Sequence, residues 1–204
     1  MIERNVLTDF SSTVSEPSVD PTAFVHALAS IIGNVTIERH VFVAPMASVR
    51  GDEGQPIFVG ADSNIQDGVV IHALETELMG KPVMKNLLEV DGKNYAVYVG
   101  SRVSLAHQAQ IHGPATVRDD TFIGMKSLVF RSSVGARCVV EPGVILMGVA
   151  IPDRRYIPAG SVLTKQEEAD NLPLITDDYP LASLNRGVVH VNTELALKYA
   201  ETNR

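Results

Sequence analysis

Three histidines carry the chemistry that can be read from this chain: His72 at the end of NIQDGVVIH, and His107 and His112 within VSLAHQAQIH. Three neutral imidazoles suit a divalent metal ion, zinc first, with iron or cobalt as the other choices. The chain has one cysteine, Cys138, so thiolate–zinc clusters and intrachain disulfides are excluded. Three protein ligands leave one coordination position open for water, which marks a catalytic site rather than a structural one. His72 and His112 are far apart in sequence, so the fold must return the chain to the same place at a fixed interval.

That interval is visible. From Val19 an aliphatic residue returns at every sixth position: Val19, Val25, Ile31, Ile37, Val43 and Val49. After a slip it resumes at Val59, Ile65 and Ile71, and after a longer break at Val99, Leu105, Ile111, Val117, Ile123 and Val129. A second slip leads to Val139, Ile145, Ile151, Ile157 and Leu163. A helix needs apolar residues every three to four positions, and a half-buried strand needs simple alternation. A beat of six is the mark of a parallel β-helix of hexapeptide repeats. The fold class is therefore an all-β solenoid, with a C-terminal α-helix packed along it. Three units make a coil of about 18 residues and triangular section, with aliphatics stacked inside about 4.8 Å apart. Gly33, Gly60, Gly100, Gly124 and Gly135 suit its corners.

One domain accommodates the whole chain. Residues 1–18 are a polar lead-in, 19–164 the β-helix, and 165–204 a C-terminal helical segment. Within the last, 164–171 forms a short helical turn and 172–185 a linker. Asn192 or Thr193 then caps a final helix whose Leu195 and Tyr199 share one face.

Counting by threes places the histidines. Ile71 and Ile111 are each the third member of their coil, so an excursion must fill the sequence between them. Residues 74–95 lack the beat, contain Gly80, Pro82 and an Asp91-Gly92 turn, and have the required length. They project as a surface loop. His72 and His112 directly follow their aliphatics and stack on the third face, with Arg50 one coil below. His107 lies two residues after Leu105, on the second face, with a corner between it and the other two. One subunit therefore does not close a three-histidine site. A symmetric homotrimer does, through heterologous contacts of one subunit's third face with the next one's second face. His26, His40 and His190 read as surface residues.

Bulk properties narrow the partners. A net charge of −7 argues against nucleic acid or an anionic membrane as the main partner. No apolar run approaches a membrane span, and the start, MIERNVLTDF, shows no signal-peptide pattern. Both favour a cytoplasmic location.

The stretches ASVRGDEG, NIQDGVVIHALE, VSLAHQAQIHGPA, FIGMKSLVF and IPAGSVLT closely resemble the γ-class carbonic anhydrases of the archaeal prototype type, over roughly 21–201. The resemblance implies a left-handed coil and reversible hydration of carbon dioxide to bicarbonate and a proton, by attack of metal-bound hydroxide. The acidity of that water, with a pKa of about 7, is a property of carbonic anhydrase zinc in general. Residue by residue, it implies that His72, His107 and His112 are the metal ligands. Glu53 would hydrogen-bond the water or bicarbonate, and Gln66 would orient the nucleophile as both donor and acceptor. Glu75 would be the proton shuttle, a role that requires a mobile acid–base group near the mouth. Arg50 and Asp52 resemble an ion pair that bridges subunits, Asn64 and Asp67 polar residues around the pocket, and Asn192 an asparagine lining it from the last helix. His190 stands where the prototype type has a tyrosine, and the prototype type's excursion loop is richer in acids, whereas this one also carries Lys81, Lys85 and Lys93.

Two rival functions remain at this level. A bicarbonate-binding or scaffold domain of the γ type keeps the histidines but often loses the shuttle, so Glu75 favours an enzyme. A hexapeptide acyltransferase generally uses one histidine without a metal, and the set of three argues against it.

Overall fold

The computed structural model describes residues 1–202. The chain winds into a parallel β-helix of three sheets. The first and second sheets have seven strands each and the third has eight. Val59, Val99 and Val117 stack on the first face, Val43, Ile65 and Leu105 on the second, and Val49, Ile71 and Ile111 on the third. All are fully buried in one continuous core. Each large aliphatic there contributes about 1.5–3 kcal/mol through burial.

The expected register holds through Val129 and then shifts. The inward residues above it are Val134, Val140 and Leu146, not Val139 and Ile145. The corner after Val129 is one residue shorter, and turns through Arg131 at φ 49° and, a coil higher, Gly148 at φ 68°. Val139 instead faces outward and packs with Ala106 and Phe122 beneath Tyr179, Leu184 and Val188. Ile145 is half-buried on the outside of the third face.

The corners differ from expectation too. Of the five glycines assigned to them, only Gly33 has positive φ. The left-handed corner positions are held by His40, Asp62, Arg102, Asp120, Arg137 and Arg154 between the first two faces. Gly60 is required for another reason: a Cβ there would lie 2.6 Å from the Gly100 carbonyl carbon of the next coil.

The lead-in contributes a strand of its own, Ile2–Glu3, which pairs with Ile31 and Ile32 on the third face. The excursion at 74–95 carries two small antiparallel hairpins. Beyond the coil, α1 spans Gln166–Asp170. The last helix, α2, spans Leu184–Thr202, so it begins well before the expected cap at Asn192 or Thr193. Helix propensity around Gly187 is poor, but Leu184 and Val188 cover the apolar patch at Val139, and tertiary packing overrides propensity. Tyr199 stacks on Phe24 at 4.8 Å, and Ala196 is buried against Phe42, which fixes α2 along the second face. Residues 203 and 204 of the expected C-terminal segment lie outside the described residues.

Candidate metal centre

On the third face, strand Val70–Ala73 pairs in register with Gln110–Gly113. His72 therefore sits opposite His112, with ring centroids 5.4 Å apart and planes at 79°. His112 Nδ1 lies 3.3 Å from the Gly113 carbonyl oxygen, which can only accept, so the proton belongs on Nδ1 and the Nε2 lone pair is free. His72 Nε2 is buried and has no hydrogen-bond partner. Buried polar atoms are normally partnered, so an orphaned imidazole nitrogen beside a second open imidazole fits a metal ligand.

The slip after Arg50 delivers acids to this pair. Gly54 permits it: a Cβ there would lie 2.3 Å from the Ala73 Cβ. Glu53 Oε2 comes within 3.3 Å of His72 Nε2, and Asp52 Oδ1 within 4.0 Å. Burial raises the Glu53 pKa above the ordinary carboxylate value, and the charge of Glu75 raises it further. Arg50 donates through Nε and Nη2 to Asp52 Oδ2 in the same chain, at 3.2 and 3.0 Å. Asp52 Oδ1 stays buried and unpartnered.

Burial lowers the His72 pKa from its ordinary 6.5, with the Arg50 charge as the next cause. The folded metal-free chain thus holds fewer protons at this site than the unfolded chain. Stability from this group is present above 6.5 and is lost as pH falls through the range below it. A ring-shift titration of His72 in metal-free protein is expected to show a midpoint under 6.5; a midpoint at or above that value would contradict the burial argument.

His107 stands apart, beyond the corner, with a side chain 57% exposed. Its Nδ1 lies 3.0 Å from Asp67 Oδ2, one coil below. The carboxylate accepts, which fixes the tautomer and aims the Nε2 lone pair away from the coil, an arrangement common to metal-bound histidines. A cleft of about 520 Å³ beside it is lined by Gln66, Asp67, His107 and, from α2, Asn192 and Leu195. Gln66 Nε2 donates to Asn64 Oδ1 at 2.9 Å, and Asn64 Nδ2 donates to Ser104 Oγ at 2.9 Å. Asn192 is tied to its own helix through Val188. Among the described residues, no group of three or more histidine, cysteine or acidic side chains in a single chain is arranged to hold a metal. His26 and His190 do not join the site, and His40 pairs with Asp62 at 2.9 Å on another corner.

No family model matches the chain. It is 58% identical over 203 residues to a carbonic anhydrase of Methanosarcina thermophila, an alignment covering 99% of this chain and 82% of that one. The chain belongs to the γ-class carbonic anhydrases. Membership brings the left-handed coil, a divalent metal, a trimeric assembly and a small substrate. The chain is also 45% identical over 166 residues to the carboxysome assembly protein CcmM of Nostoc sp., covering 81% of this chain but 28% of that one. A Bacillus cereus protein named provisionally as an acetyltransferase superposes with a TM-score of 0.70 at 18% identity, covering 92% of this chain and 94% of that one. That likeness concerns the fold alone. Among the described residues, no helix is long and apolar enough to cross a membrane.

Three side chains in or near this γ-class site were not singled out from sequence. Phe130, in register with His112, places its ring 5.3 Å away. Ser104 anchors Asn64, and Asn86 lies buried in the excursion loop. Counting by sixes would have found Phe130 and Ser104, which share columns with His112 and Asn64. Nothing in the repeat could have found Asn86.

Proposed function

We propose that this chain catalyses reversible hydration of carbon dioxide to bicarbonate and a proton, using zinc held by His72 and His112 of one subunit and His107 of the next in a homotrimer. The observation that carries the reading is the buried His72 Nε2 beside His112, which makes no hydrogen bond and has the Glu53 carboxylate 3.3 Å away, with His107 turned outward on a different face. When bound, the metal would supply Lewis acidity that makes water a nucleophile at neutral pH. Glu53, at 3.3 Å from His72 Nε2, would hold a proton or accept a hydrogen bond beside the histidines. Gln66, fixed through Asn64, would orient the reacting oxygen from the neighbouring subunit, with Asn192 lining the same cleft. Asp67 would hold His107 in its ligating tautomer. Arg50 and Asp52, paired within one chain and leaving Asp52 Oδ1 unpartnered, would reach across the interface in the trimer. Glu75, whose charge is felt at Glu53, would carry the product proton outward. A cytoplasmic location belongs to the same reading.

The likeness to the carboxysome assembly protein fits a second, less supported reading, a catalytically silent bicarbonate-binding domain. Anaerobic purification, metal analysis and a hydration assay on the same sample separate the two. Stoichiometric divalent metal with turnover supports the enzyme; full metal without turnover supports the silent domain. Glu75→Ala is expected to lower turnover in dilute buffer about 100-fold or more, with partial rescue by small buffer bases. Undiminished turnover in dilute buffer would remove Glu75 from the mechanism.

A further inference from the structure

The excursion loop contains a buried amide with no part in the site described so far. Asn86 ends a single 3-10 turn, Met84–Asn86, and is only 1% exposed although it lies in a surface excursion. A buried amide is stable only when its donor and acceptor ends are both satisfied. Asn86 Nδ2 donates to the backbone carbonyl of Glu75 at 2.8 Å, and its Oδ1 accepts from Arg131 Nη1 at 3.4 Å. Arg131 occupies the left-handed position of the shortened corner, and its backbone N–H donates to the His112 carbonyl at 3.0 Å. Arg131 thus bonds His112 through its backbone and Asn86 through its guanidinium, so that its side chain and Asn86 together link Glu75 to the strand next to His112. On the other side, Thr76 Oγ1 accepts from the Gln55 N–H at 3.0 Å and donates to the Gln55 carbonyl at 2.8 Å. That tie joins the residue after Glu75 to the segment carrying Glu53. Glu75 is gripped from both sides, while its side chain is left free.

We propose that Asn86 is a positioning residue for proton transfer, locking the backbone of Glu75 to Arg131 on the coil next above His112. The inference rests on Glu75 being the proton carrier. A carboxylate on an untethered loop loses the high effective concentration that a fixed one has at the pocket. Asn86→Ala removes both hydrogen bonds and leaves every side chain at the histidine pair in place.

Proton removal regenerates the enzyme after product has left, so it enters kcat and not kcat/KM. In the metal-loaded Asn86→Ala enzyme, kcat in dilute buffer is expected to fall about tenfold, while kcat/KM stays near the parent value. Concentrated imidazole buffer should restore kcat, and amide hydrogen exchange across 74–86 should accelerate. Asn86→Asp keeps an acceptor for Arg131 but has no donor for the Glu75 carbonyl at neutral pH, so it should share the kcat defect. If Glu75→Ala shows the buffer-rescued defect and Asn86→Ala behaves as the parent, the positioning role is overturned while the shuttle stands. If Glu75→Ala itself is unaffected, the shuttle falls and this inference falls with it. A loss of kcat and kcat/KM together, without buffer rescue, would reduce Asn86 to a general structural residue and also overturn it.

Discussion

Replacing His107 with alanine is expected to yield a protein that purifies without a full complement of metal, hydrates no carbon dioxide above background, and elutes with a larger monomer fraction. The reason is the separation of the three rings. His72 and His112 share one face at 5.4 Å, while His107 lies past a corner with its Nδ1 held by Asp67. Two imidazoles with Glu53 nearby make a weaker site than three imidazoles, because a divalent metal then lacks a neutral nitrogen ligand of fixed orientation. In the proposed trimer the metal would also bridge subunits, so its loss would remove contacts that favour assembly by mass action. Metal analysis and size-exclusion chromatography with light scattering check both halves. A His107→Ala protein with one tightly held metal per chain would contradict the shared geometry.

The second large effect concerns the core. Leu146→Ala is expected to destabilise the fold by about 2–5 kcal/mol, the range for deleting a buried leucine side chain. Ile145→Ala, one residue earlier, is expected to cost about 1 kcal/mol or less, in keeping with a residue outside the core. Leu146 is fully buried between Val129 and Leu163, whereas Ile145 is half-buried on the outer surface. Urea midpoints of the two variants measure the difference directly. Equal costs would mean that the inward beat runs through Ile145 after all.

The same pair shows what the sequence could and could not convey. Ile111, between Gln110 and His112, has one possible inward position; Ile71 has Val70 beside it, but the beat from Val59 and Ile65 selects it, and both were read correctly. The excursion length followed from them. Above Val129 the chain offers Val139-Val140 and Ile145-Leu146, where either neighbour can satisfy the beat. The choice is made by a corner shortened at Arg131, which has no mark in the hydrophobic pattern. The early start of α2 was hidden for a related reason. Leu184 and Val188 become helical by covering an outward-facing Val139, and that partner was assigned to the interior. At the site, the His72–His112 stack and the isolation of His107 were legible because they depend only on register. Resemblance marked Asp67 only as a polar residue around the pocket; its contact with His107 comes from adjacent coils. Asn86 was illegible, since its burial depends on how a loop without a repeat folds back onto the coil.

The most direct test of the shared metal site is complementation between two inactive variants. His72→Ala chains keep an intact His107, and His107→Ala chains keep intact His72 and His112. Co-expressed with different tags and purified through both, they should form mixed trimers in which some interfaces recover all three imidazoles, with metal and carbon dioxide hydration returning together. Mixed trimers that remain devoid of metal and activity, although each contains both kinds of chain, would contradict a site assembled from two subunits.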